Sequence, residues 1–147
     1  MKKYLYACLA LIILGGAGSA WATAQTGSEH RATADIPFTF SVGNRILPAG
    51  KYDFRIVNPS SDQNILQIRS VGGSVSVLVQ TNGVKVDAAD DARLVFDRYG
   101  DRYFFSLAQL AGTTNGLAAV RSSRERAERK ALTRANVKKI VAVITAN

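Results

Sequence analysis

Along most of this chain apolar residues fall at every second position, and that period commits the body of the protein to strands. In a strand successive side chains point to opposite faces, so a two-residue repeat builds one apolar face and one polar face. Ile36, Phe38, Phe40 and Val42 share a face, with Pro37, Thr39 and Ser41 opposite. Pro37 has no amide to donate, which predicts an edge position or a strand start. Tyr52, Phe54 and Ile56 alternate with Asp53, Arg55 and Val57. Leu66 and Ile68 follow, and then Val75, Val77 and Val79 alternate with Ser74, Ser76 and Leu78. Turn chemistry separates these runs: Leu47-Pro48-Ala49-Gly50, the loop Asn58-Pro59-Ser60-Ser61-Asp62, and Gly72-Gly73.

The sharpest local unit runs from Ala92 to Ala108 around Gly100-Asp101. A two-residue loop there sets Phe96 opposite Phe105, Leu94 opposite Leu107, and Arg98 opposite Tyr103. Asp97 and Arg102 then lie diagonally on the other face, close enough to pair. A register slip of one residue would turn the whole apolar set outward.

The net charge of +8 is unevenly placed. Residues 121–139 hold Arg121, Arg124, Arg126, Arg129, Lys130, Arg134, Lys138 and Lys139 against only Glu125 and Glu128, whereas the body before them is balanced. Ser122 with Glu125 three residues later forms a capping box, which predicts a helix over residues 122–134. Arg121–Glu125 and Glu125–Arg129 are spaced to pair along it. Its apolar face is thin, consisting of Ala127 and Ala131 with Leu132 or Ala135, so it should lie on the surface and pack weakly. From Val137 to Ala146 the chain becomes strand-like again, and the unbroken run Ile140-Val141-Ala142-Val143-Ile144 predicts burial on both faces. The fold expected is all-β and mainly antiparallel. About seven strands form a sandwich or a partly open barrel, with one surface helix before a C-terminal strand.

The first 24 residues carry an address. Lys2 and Lys3 precede an apolar run from Tyr4 to Leu14, and Ala20-Trp21-Ala22 and Ala22-Thr23-Ala24 are overlapping cleavage motifs. The run is well short of the roughly 20 residues of a span. Leu5-Tyr6-Ala7-Cys8 stands too close to Lys3 for a lipidation signal. A cleavable signal peptide at 1–24 is expected, with export to the periplasm or beyond and no integral span afterwards. A flexible stretch at 25–34 and a single domain at 35–147 should follow. Cleavage removes the sole cysteine, Cys8, and the sole tryptophan, Trp21. The exported chain then has no disulfide and must stand on its core.

No catalytic constellation is visible, and no cofactor or metal site is expected. His30 is the only histidine, in a polar tail without an orienting partner. Asp87, Asp90 and Asp91 share a loop but lack the alternating spacing of a calcium loop. Asp97 and Asp101 flank a tight turn, where water would leave neither tuned for acid–base work. Phe38, Phe40, Tyr52, Phe54, Phe96 and Phe105 follow the strand alternation into the core. Phe104 faces outward, either covered by the helix or another strand or else exposed to a partner.

Ile36-Pro37-Phe38-x-Phe40-x-Val42-Gly43, Leu47-Pro48-Ala49-Gly50-x-Tyr52-x-x-Arg55, Leu94-Val95-Phe96-x-Arg98-Tyr99-Gly100-Asp101-Arg102-Tyr103-Phe104 and Ser122-Ser123-Arg124-Glu125-Arg126 extend over most of the chain. Together they resemble a family of small exported proteins of unknown function from acidobacteria-type soil bacteria. The resemblance implies export and a β-rich domain, and supplies no activity.

Two functions are consistent with these residues. One is a non-enzymatic binding or envelope-associated structural protein. Its contact residues are Arg121, Arg124, Arg126, Arg129, Lys130 and Arg134, facing lipid headgroups, lipopolysaccharide or acidic polysaccharide. Nucleic acid is a poor partner, because no aromatic residues interleave the bases. The other is a hydrolase, carbohydrate-active or otherwise, which requires Asp87, Asp90, Asp91, Asp97 and Asp101 to converge in a pocket. Oligomeric state stays open, since Phe104 and the Pro37 edge are both candidate interfaces.

Overall fold

A computed structural model of the protein describes residues 31–57, 64–134 and 140–146. The signal segment, His30, the Asn58–Asp62 loop, Ala135, and Val137 to Lys139 lie outside the described residues. Ten strands and one helix follow in the order β1 (Arg31–Ile36), β2 (Phe40–Val42), β3 (Arg45–Leu47), β4 (Gly50–Ile56), β5 (Asn64–Ser70), β6 (Ser76–Lys85), β7 (Ala92–Tyr99), β8 (Arg102–Gln109), β9 (Asn115–Ala119), α1 (Ser123–Arg134) and β10 (Ile140–Ala146). The fold is all-β with one helix before the last strand.

The strands form one mostly antiparallel sheet. Its long path runs β1-β4-β5-β6-β9-β8-β7-β10, and β10 returns beside β1. No ladder joins those two among the described residues, which leaves the barrel partly open. The short β2–β3 hairpin fills the part of the β8 edge that β9 leaves free, and β2 runs parallel to β8 there.

The alternation maps onto this sheet directly. Ile36, Phe40, Val42, Tyr52, Phe54, Leu66, Ile68, Leu94, Phe96 and Phe105 are all buried in one core. Burying each such side chain contributes about 1.5–3 kcal/mol. Phe96 stands at the aromatic centre, edge-on to Phe38 and Phe40 at 5.3 Å and to Phe105 at 5.8 Å. The Leu47–Gly50 turn is closed by the Tyr52 hydroxyl, which donates to the Pro48 carbonyl at 2.8 Å. At Gly73 a positive φ of 74° closes the β5–β6 hairpin, as the paired glycines require.

Four expectations are corrected. First, β1 begins at Arg31, with Ala32 and Ala34 buried against β4, so residues 31–34 belong to the sheet. Second, Phe96 does face Phe105, and Arg98 faces Tyr103 with its guanidinium 5.4 Å from the ring, but Leu94 faces Ala108. The ladder skips Ser106, and this bulge turns Leu107 to the outer face opposite Val95. Third, Arg102 reaches out to Glu128 of α1, and the hairpin's own ion pair is Arg98 with Asp101 at 3.5 Å.

Fourth, β10 is not buried on both faces. Ala142, Ile144 and Ala146 turn inward, while Val141 and Val143 are 52% and 55% exposed. Among the described residues the strand pairs only with β7, and its outer face, carrying Val141 and Val143, is exposed.

Candidate functional site

The helix is where charge and sheet meet. Ser122 caps it: its hydroxyl accepts the Glu125 amide at 3.1 Å, and its carbonyl accepts the Arg126 amide at 3.0 Å. The helix then starts at Ser123, beside the expected boundary. It lies against β7 on the side of the sheet away from the core. There Tyr99 and Phe104 are buried and pack edge to face, their ring centroids 5.6 Å apart. Phe104 is therefore a covered residue.

The face that α1 turns toward the sheet is acidic. Glu125 is only 5% exposed and receives Arg121 Nε at 3.3 Å, and Glu128 is held by Arg102 of β8. Leu132 is half-buried one turn on, whereas Ala127 and Ala131 are exposed. The thin alanine face read from the sequence is thus the wrong side of the helix. Glu128 has an arginine to reach across the sheet, and the alanines have none.

With both acids turned inward, the outer face is left cationic. Arg126, Lys130 and Arg134 stand one turn apart along a single exposed stripe, and Arg129 is exposed on the flank. Arg124 is half-buried, and Arg121 precedes the helix as the partner of Glu125. Among the described residues, no carboxylate lies within ion-pair distance of Arg126, Arg129, Lys130 or Arg134. One guanidinium nitrogen of Arg126 donates to the Arg121 carbonyl at 2.7 Å, which steadies the start of the stripe.

Between the beginning of α1 and the outer face of β6, β9 and β8 lies a cleft of about 470 Å³. Its helix wall carries Arg121, Glu125, Arg126 and Arg129, and its floor includes Val84, Ala118 and Val120. Nothing in the local sequence signals the cleft, because it depends on how the helix sits on strands far away in the chain.

Tyr99 lies beneath this wall. Its phenol is pushed up from its ordinary value, first by burial and then by the carboxylates of Asp97 and Glu125, against a smaller opposing effect of Arg121 and Arg129. Its hydroxyl is buried with no hydrogen-bond partner among the described residues.

The structure does not gather the carboxylates. Asp87, Asp90 and Asp91 are exposed before β7, and Asp101 is exposed in the turn after it. The eight residues of β7 separate the two groups by roughly 25 Å. Asp97 is buried on the outer face, away from the loop acids. Among the described residues no three His, Cys, Asp or Glu side chains are grouped as metal ligands, and no helix is long and apolar enough to cross a membrane. No family model matches the chain, and neither a curated protein nor a solved structure matches it.

Proposed function

We propose that this chain is an exported, non-enzymatic binding protein that contacts an anionic surface of the cell envelope through α1. One observation carries the reading: both helix acids turn toward the sheet while Arg126, Lys130 and Arg134 form an exposed stripe with no carboxylate of the described residues within ion-pair distance. A stripe of this kind attracts anionic headgroups or acidic sugars over about a Debye length. The separation of the loop acids from Asp101 and Asp97 supports binding over hydrolysis. Export rests on the basic start, apolar run and paired cleavage motifs of residues 1–24.

The test is co-sedimentation with phosphatidylglycerol vesicles, with phosphatidylcholine vesicles as the neutral reference. Retention should be confined to the anionic vesicles and fall steeply between about 0.1 and 1 M salt. Replacing Arg126, Lys130 and Arg134 together by Gln should abolish it. Equal retention on both vesicles, or retention that ignores salt, would overturn the reading.

A further inference from the structure

The cleft beside α1 continues into an apolar track across the outer face. The ladders place Val143 of β10 opposite Val95 of β7, Val95 opposite Leu107 of β8, and Leu107 opposite Ala118 of β9. Directly paired residues share a face, so these four side chains form one row, about 14 Å long at the usual strand spacing. Val143 is exposed, and Val95, Leu107 and Ala118 are half-buried.

The bulge at Ser106 creates this row, since without it Leu107 would point into the core. Gly116 keeps the neighbouring ground low. A Cβ there would stand 3.1 Å from Leu107 Cδ1 and 3.2 Å from Val86 Cγ1, so the missing side chain leaves room for both to settle over it. Ala118 ends the row inside the cleft, across from Arg126 and Arg129. Arg121 is occupied by Glu125, whereas among the described residues no carboxylate lies within ion-pair distance of Arg129.

We propose that the cleft and its track bind a single anionic amphiphile, a medium-chain carboxylate. Its head pairs with Arg129 and Arg126, and its aliphatic body lies along Ala118, Leu107, Val95 and Val143. Charge complementarity at one end and an apolar strip at the other select both halves of the molecule. A guanidinium suits a carboxylate because it can donate two parallel hydrogen bonds. The cleft volume lies within the range of small-molecule sites. This deepens the anionic-contact reading and shares Arg126 with it, but Arg129 belongs to the cleft whereas Lys130 and Arg134 lie outside it, so the two can fail separately.

The probe is decanoate, titrated calorimetrically into the protein below its micelle concentration, with decanol and acetate as the two half-molecules. Decanoate should bind, and each half-molecule should bind more weakly by about tenfold or more. Arg129→Gln should weaken decanoate by about tenfold, and Ala118→Phe should fill the cleft and abolish binding. Arg129 is exposed, so its variant should fold, which an unchanged melting curve would verify. Lys130→Gln with Arg134→Gln should lose vesicle retention and keep decanoate. Absence of decanoate binding, decanol binding as tightly as decanoate, or a folded Arg129→Gln protein with unchanged affinity would each overturn the proposal.

Discussion

Tyr99 and Phe104 meet edge to face at 5.6 Å on the outer side of the sheet, and α1 lies beside them against β7. The contact is apolar except for the tyrosine hydroxyl, which is buried without a hydrogen-bond partner among the described residues. Leaving such a group unsatisfied costs about 1–3 kcal/mol. Tyr99→Phe should therefore leave stability to urea unchanged or raise it by about 1 kcal/mol. The raised phenol value adds a pH signature. The protonated form is favoured in the folded state, so its contribution is full below about pH 10 and is lost as pH rises through the folded value. The variant should lose that part of the alkaline destabilisation, and a destabilised Tyr99→Phe protein at pH 7 would contradict this account.

Asp53 fastens β1 to β4. It accepts hydrogen bonds at 2.7 Å from both the Thr33 hydroxyl and the Arg31 guanidinium. Burial works to raise its carboxyl, but those two bonds and the charges of Arg31 and Arg69 outweigh it and hold the group below its ordinary value. A depressed carboxylate contributes stability above its unfolded value, near pH 4, and loses it as pH falls through the folded value. Asp53→Asn should cost about 1 kcal/mol at pH 7, and the difference from the native protein should shrink as pH falls below about 4. Denaturation curves in the two pH ranges check it.

Phe96 has the most demanding place in the core, touching the rings of Phe38, Phe40 and Phe105. Phe96→Ala would leave a ring-sized void among side chains that cannot close in, costing about 3–5 kcal/mol. Phe96→Leu should cost markedly less, since it keeps most of the volume. Equal losses for the two variants would show that packing around the ring is not what holds this hairpin.

Ser122 controls the helix. Ser122→Ala removes the acceptor for the Glu125 amide and should cost about 1 kcal/mol. The effect should be local: amide exchange speeds up in α1 and at the Tyr99–Phe104 contact, while the β4–β5 ladder keeps its protection. Uniform loss of protection would mean that helix and sheet unfold as one unit.

Much of this was legible in the residues. Gly100-Asp101 sets a two-residue turn, and from it Phe96 against Phe105 and Arg98 against Tyr103 follow directly. Beyond Phe105 the count fails, because Ser106 is skipped and nothing in the alternation of Phe105, Leu107 and Gln109 announces a bulge. The run Ile140 to Ile144 misleads for a related reason. Uninterrupted apolar residues suit a strand covered on both sides, but coverage is supplied by other elements, and none among the described residues covers Val141 and Val143.

By itself the sequence determined what depends on near neighbours: strand periods, turns, the Ser122 cap, the concentration of positive charge after residue 120, and the alternation that fills the core. Only the tertiary structure decided which face of α1 meets the sheet. Glu128 turns inward because Arg102, 26 residues away in the chain, stands across from it. That choice leaves Arg126, Lys130 and Arg134 as a bare cationic stripe and opens the cleft above Ala118. Local preferences act within a few residues. The pairing of a helix face with a distant strand is decided by which buried and charged groups the completed fold brings opposite each other.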